Sequence, residues 1–345
     1  MRFRTTATLL VPLALVVSAS ALSQTPKDAT SGGRQAPDVD ALVKETHAKY
    51  RGLKEGKNAD YIPALAQVNP DLFGIVLVTV DGQTSKAGDT DSPFSIQSIS
   101  KVFTLARVIE DQGEQTVEDK VGVDPTGQVF NSIVAIEQNK GKEMNPFVNP
   151  GAIATTSMVA GKTGEEKFAR ILAVHEQFAG RSLKINEPVY KSEAATNQRN
   201  QAIAMLLKAY DRMYADPQLA TDVYTRQCSI NVTAGDLAVM AATLANGGKN
   251  PITKKQVVSP QTVAHVLSEM AVAGLYDDAG IWLYNVGLPA KSGVGGGIIA
   301  VAPGRFGIAA FSPPLDAAGN SVRSQKAITD IAARLSANPY LVAPK

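Results

Sequence analysis

The chain contains a single Ser-x-x-Lys, formed by Ser98 and Lys101 within Phe94 to Phe103, Phe-Ser-Ile-Gln-Ser-Ile-Ser-Lys-Val-Phe. A serine hydroxyl is a weak nucleophile until a neighbouring base takes its proton, and a lysine serves as that base when apolar surroundings lower its pKa. A helix opening at Ser98 and running through Leu105 to Asp111 puts positions i and i+3 on one face, where hydroxyl and amine can meet. Ile96, Ile99, Val102 and Phe103 supply apolar surroundings. Taken alone, the stretch reads more simply as a helix start carrying small polar residues and a solvated lysine, so a catalytic meaning depends on partners elsewhere.

The elements that must position such a pair follow from the hydrophobic periods. Val39, Leu42, Val43 and Thr46 recur at helical spacing to about Tyr50. Phe73 to Val80 is a β-branched run closed by Asp81-Gly82, and a weaker strand from Thr84 to Gly88 completes a hairpin. From Val121 to about residue 273 helical patterns dominate, with helices expected at Ile153 to Ala160, Glu165 to Ala179, Gln198 to Tyr214, Thr233 to Asn246 and Ser259 to Ala273. Thr233 with Asp236 three residues on, and Ser259 followed by Pro260, are helix caps. Strands are expected again at Ile281 to Val286, Gly296 to Val301 and Phe306 to Phe311, before a last helix from about Val322 to Leu335. Strands at both ends with helices between predict an α/β fold, a mainly antiparallel sheet flanked by helices with an inserted all-helical subdomain.

The chain opens with Arg2 and Arg4, an apolar run from Ala7 to Val17, and Ala19 and Ala21 at Ala-x-Ala spacing. Residues 1–21 therefore read as a secretory signal peptide, and an apolar run this short that also holds Pro12 is a poor membrane span. Residues 22–37 are rich in small breakers and read as a flexible linker. One catalytic domain is expected over 38–345, its α/β part at about 38–120 and 280–345 and its helical part at about 121–279. Localisation outside the cytoplasm, in the periplasm, follows. Loss of the leader leaves Lys and Arg equal in number to Asp and Glu, and with no basic block the chain has no electrostatic footprint for nucleic acid or an anionic membrane. Cys228 is the only cysteine, so no internal disulfide can form, and it reads as a packed residue rather than a nucleophile. His47, His175 and His265 stand far apart without metal-ligand spacing, so no metal and no cofactor are expected.

A second chemical element is Lys291-Ser292-Gly293, directly before a strand. In serine acyl enzymes of the penicillin-recognising type a Lys-Thr/Ser-Gly strand lines the site, its lysine supplying positive charge. The order Ser-x-x-Lys after a hairpin, a helical insert, then Lys-Ser-Gly matches that plan. The segments between narrow it further: Met144-Asn-Pro-Phe-Val-Asn-Pro-Gly-Ala152, Val189 to Glu193 with Asn197 to Asn200, Tyr224 to Asn231, Gly274-Leu-Tyr276, and Pro289 to Pro303. With these the chain resembles the bacterial serine-dependent glutaminases, of β-lactamase/DD-peptidase-like fold, over about residues 40–335.

The resemblance implies Ser98 as nucleophile and Lys101 as its proton partner, with substrate contacts from Asn149, Glu193, Asn200, Tyr224, Tyr276 and Val294. Glutamine is a zwitterion, so Glu193 suits its α-ammonium and Asn149 and Asn200 its α-carboxylate. Tyr224 is a candidate proton relay to departing ammonia, its pKa lowered by Lys291. The backbone N–H groups of Ser98 and Val294 are candidates for the oxyanion hole. The implied activity is hydrolysis of L-glutamine to L-glutamate and ammonia, by a homo-oligomer (dimer or tetramer) whose partner is that small-molecule substrate. Two other classes stay open at this stage: a β-lactamase or D-alanyl carboxypeptidase-like hydrolase, although the chain lacks Ser-Asp-Asn, and a non-catalytic periplasmic amino-acid binder.

Overall fold

Ile75 and Leu77 face one side of a strand and Val76 and Val78 the other, yet all four are buried, which requires a sheet covered on both faces. The computed structural model describes residues 38–142, 144–342 and 344; the expected leader at 1–21 and linker at 22–37 lie outside the described residues. The strands are β1 (Gly74–Thr79), β2 (Thr84–Gly88), β3 (Phe94–Ser95), β4 (Lys184–Ile185), β5 (Ile230–Val232), β6 (Ala290–Ser292), β7 (Gly297–Ala302) and β8 (Phe306–Phe311). Five of them form an antiparallel sheet in the order β2-β1-β8-β7-β6, and a small second sheet runs β3-β5-β4. The central pairing joins distant segments, with Gly74 opposite Phe311 and Thr79 opposite Phe306.

On one face Ile75, Leu77, Ile298, Ala300, Ile308 and Ala310 pack against Leu42 and Val43 of the Val39–Tyr50 helix and Ile328 and Ile331 of the Val322–Arg334 helix. The opposite face, with Val76, Ile299, Val301 and Phe311, shares a core with Leu237, Ala238 and Ala241 of the Ala234–Ala245 helix. That helix lies very close to the sheet, since a Cβ on Gly307 would stand 2.1 Å from the Ala242 nitrogen. Its start is fixed by a reciprocal capping box between Thr233 and Asp236, a feature of about 0.5–2 kcal/mol. The same core runs on into the helical part, where the Ser100–Gln112 helix packs among the Asn149–Met158, Gly164–Ala179 and Pro260–Ala273 helices.

The structure corrects the expected strand at Ile281 to Val286, which is part of the α-helix Ala279–Val286. Its aromatic and β-branched composition favours a strand, but Trp282 and Val286, one helical turn apart, insert into the sheet core while Ile281 and Tyr284 face outward. The helix expected at Gln198 to Tyr214 stops at Ala209, and Asp211 is left-handed at φ 56°. Two helices not separately foreseen, Glu187–Thr196 and Pro217–Cys228, carry candidate site residues. Among the described residues no helix is long and apolar enough to cross a membrane.

Candidate active site

Strand β3 delivers the chain to the site. Ile96 N donates to Ile230 O at 2.8 Å, and Gln97 then turns into the left-handed region at φ 50°. Ser98 therefore lies in a 3₁₀ turn, Gln97–Ile99, and the α-helix begins only at Ser100. In a 3₁₀ turn residues i and i+3 eclipse, so the tighter start still sets Ser98 and Lys101 on one face. Both are buried. Among the described residues no direct hydrogen bond joins them: Lys101 Nζ donates to Asn149 Oδ1 at 2.8 Å and to Phe147 O at 3.2 Å. Burial lowers the Lys101 ammonium from 10.5 to about 7 against the opposing pull of Cys228 and Glu193, so near neutrality it can exist as the free amine.

Six of the sequence-predicted residues meet around one cavity of about 280 Å³: Ser98, Asn149, Glu193, Asn200, Tyr224 and Val294. Asn149 opens the Asn149–Met158 helix, with Pro150 next to it, and its side chain joins three elements. Its Oδ1 accepts from Lys101 and, at 3.2 Å, from the Tyr224 hydroxyl; its Nδ2 donates to Asn200 Oδ1 at 3.0 Å. Tyr276 closes the site beside Ser98, its ring 4.7 Å from that of Phe130 and its backbone left-handed at φ 51°. Lys101 and Lys291 are buried and are not among the residues that line the cavity.

Sequence reasoning missed Tyr61, Gln97 and Phe130, which also line the cavity. Gln97 had a signal, being adjacent to the proposed nucleophile. Tyr61 and Phe130 come from irregular segments in which no pattern marks an isolated aromatic. Gln97 Nε2 donates to Glu193 Oε2 at 3.3 Å and orients the carboxyl. Burial raises Glu193 from 4.5 to about 7, with the Gln97 hydrogen bond and Lys101 acting in the opposite direction. An incoming ammonium would favour its carboxylate form.

The expected pairing of Lys291 with Tyr224 is not what the structure shows. Lys291 Nζ sits 4.4 Å from the centre of the Tyr276 ring and donates to Gly274 O at 2.9 Å and Ser292 O at 2.8 Å. Complete burial, reinforced by Lys101, drives its pKa well below the usual lysine range. Tyr224 is pushed well above its usual value by burial and by Cys228 and Glu193, which keeps it a protonated hydrogen-bond donor. The lysine beside its ring is Lys101, with Nζ 5.8 Å from the ring centre. The Cys228 thiol lines the cavity but is pushed up to about 12 by burial, which leaves it un-ionised.

The glycine-rich loop between β6 and β7 lies against the Ser98 turn. A Cβ on Gly293 would stand 2.8 Å from Ile96 O and 3.3 Å from Ser98 N, so only glycine admits this approach. It brings Val294 to the cavity. Among the described residues no group of three or more His, Cys, Asp or Glu could hold a metal ion.

An antiparallel sheet flanked by helices, with a buried serine and lysine where sheet and helical part meet, is the β-lactamase-like fold, and comparison with known proteins narrows the class. The Glutaminase family pattern matches residues 56–340. A glutaminase of Colwellia psychrerythraea (strain 34H / ATCC BAA-681) is 54% identical over 306 residues, covering 89% of this chain and 98% of its own, and one of Brucella canis (strain ATCC 23365 / NCTC 10854 / RM-666) is 56% identical over 302 residues, covering 88% and 95%. Among solved structures, the probable glutaminase ybaS superposes with a TM-score of 0.87 at 48% identity, covering 88% of this chain and 98% of its own. Bacillus subtilis glutaminase YbgJ, in a covalent complex with 5-oxo-L-norleucine formed by reaction with 6-diazo-5-oxo-L-norleucine, superposes with a TM-score of 0.80 at 31% identity, covering 87% and 99%. The chain belongs to the glutaminase family and is an enzyme of that class.

Proposed function

We propose that the protein hydrolyses L-glutamine to L-glutamate and ammonia through an acyl-enzyme on Ser98. The observation that carries this reading is one cavity lined by a buried serine and a buried carboxyl, with a lysine poised near neutrality held against Asn149 of the same lining. Neutral Lys101 takes the Ser98 proton as Oγ attacks the side-chain amide carbon. The Ser98 and Val294 N–H groups receive the oxyanion. The C–N bond breaks as the proton held by Lys101 passes to the departing nitrogen, with Tyr224 donating in the same network, and ammonia leaves. Water then attacks the γ-glutamyl ester, gives its proton to Lys101, and L-glutamate departs as Ser98 Oγ regains a proton. Glu193 pairs with the α-ammonium, while the amides of Asn149 and Asn200 and the Tyr276 hydroxyl orient the rest of the substrate. The adduct on the Bacillus subtilis relative supports covalent catalysis here. The test is incubation with 6-diazo-5-oxo-L-norleucine followed by peptide mass analysis: a stoichiometric adduct on Ser98 with loss of ammonia release is expected, and labelling elsewhere with unchanged turnover overturns the assignment.

Export is a further part of the proposal, supported by the basic start, short apolar run and Ala-x-Ala site of residues 1–21. N-terminal sequencing of protein from a periplasmic fraction should begin near Leu22. Self-association is supported by Val272, Ile281 and Tyr284, large apolar side chains exposed on two neighbouring helices. Sedimentation should give a dimer or tetramer.

A further inference from the structure

Glu269 is a carboxyl without an evident reason to be buried. It sits on the Pro260–Ala273 helix, outside the substrate cavity, and is 6% exposed. Its side-chain partner is Asn145, whose Nδ2 donates to Glu269 Oε2 at 2.8 Å and to Val123 O at 3.1 Å. Asn145 is fully buried and left-handed at φ 44°, a conformation that Asn tolerates better than most residues but that the surroundings must hold. Its Oδ1 accepts from Phe147 N at 2.9 Å, which shapes the turn leading to Asn149. The carbonyl of that same Phe147 accepts from Lys101 Nζ at 3.2 Å.

We propose that Glu269 is a positioning residue for Lys101, holding Asn145 so that the turn at residues 145–149 keeps the Phe147 carbonyl and Asn149 Oδ1 on Lys101 Nζ. The relay passes through hydrogen bonds that need an acceptor at position 269, and not through charge. Burial raises Glu269 from 4.5 to about 8, aided by Asp124 and resisted by Asn145, so near neutrality the group is largely protonated and still accepts through its carbonyl oxygen. Glu114, Glu118 and His265 border the small cavity beside it. The groups facing Lys101 itself are Glu193, Cys228, Lys291 and the Tyr224 ring.

The inference rests on Lys101 being the base for Ser98, and the two can fail separately. Steady-state kinetics and pH profiles of ammonia release from L-glutamine are compared for the parent, Glu269→Leu, Glu269→Gln, Asn145→Gly and Lys101→Ala. Glu269→Leu keeps the volume but offers no acceptor, so kcat should fall about tenfold or more while KM moves less. A carbonyl that accepts from Lys101 favours its charged form, so losing that geometry should also move the acidic limb of the profile to lower pH. Glu269→Gln keeps the acceptor and should stay within about twofold of the parent in kcat with an unmoved limb. Asn145→Gly, whose backbone takes the left-handed conformation without strain, cuts the relay in the middle and should reproduce the leucine phenotype even where that variant folds poorly. Parent-like kcat and limb in both Glu269→Leu and Asn145→Gly, or a loss in Glu269→Gln as large as in Glu269→Leu, overturns the positioning role. Parent-like turnover in Lys101→Ala overturns the reading on which it rests.

Discussion

Lys101 Nζ donates to Asn149 Oδ1 at 2.8 Å, so the proposed base for Ser98 is tied to a residue that lines the cavity. Asn149 also accepts from Tyr224 and donates to Asn200, and the four side chains form one network. Changes at these four positions should therefore not be additive in their effect on turnover.

Ser98→Ala and Lys101→Ala should each lower kcat for L-glutamine by about 10³-fold or more, and the double variant should be little worse than either, because the pair acts as one unit. Ammonia release measures the loss and circular dichroism verifies the fold. Near-parent turnover in Ser98→Ala would sink the mechanism.

Glu193→Gln should raise KM for L-glutamine by about 30- to 150-fold, the equivalent of losing about 2 to 3 kcal/mol of charge-assisted contact. In the parent, binding should weaken as pH falls through about 7, where the carboxylate takes up a proton. The base works from its neutral form, so its limb rises with pH near about 7 as well. Removing Glu193 should leave only the Lys101 limb, visible in kcat, and unchanged affinity in the variant would reduce Glu193 to a bystander.

Glu269→Gln should be more stable than the parent in alkaline solution. The native carboxyl keeps its proton to about 8, whereas the unfolded one releases it near 4.5. Between those values the native state holds the extra proton, so stability falls as pH rises across that window. Glutamine carries no such penalty. The gap in Tm should be smallest near pH 4 and grow up to about pH 8, and a gap independent of pH would contradict the buried neutral carboxyl.

Gly293→Ala places a methyl 2.8 Å from Ile96 O and should push the Val294 loop away from Ser98. The expected result is a fall in kcat of about 10²- to 10³-fold, as for loss of an oxyanion donor, with a smaller change in KM. Kinetics at saturating L-glutamine would show it, and undiminished kcat would remove Val294 from the oxyanion hole.

The sheet, the final helix and the Ser98 and Lys291 segments were legible because each rests on local pattern: an unbroken β-branched run in β1, a Ser-x-x-Lys, a Lys-Ser-Gly beside a returning strand. The helices carrying Glu193 and Tyr224 were passed over although their starts are signalled. Asn186 caps the first with Pro188 in its opening turn, and Asp216 caps the second with Pro217 behind it. Two- and three-residue strands such as β3 and β5 are too short for any period to register. The pKa pattern was least legible: the upward push on Tyr224 and the downward push on Lys291 both depend on burial created by segments far apart in sequence.

The pairing of β1 with β8 means that residues 74–79 find their sheet neighbours only when residues 306–311 are available. Such long-range closure makes folding slow, and the helical part, rich in local contacts, can consolidate first. The same separation applies to the chemistry, since Ser98 and Val294 line one cavity but come from segments far apart in sequence. A nascent chain holding the complete Ser98 helix is therefore inert, and hydrolytic competence arrives in one late step of maturation.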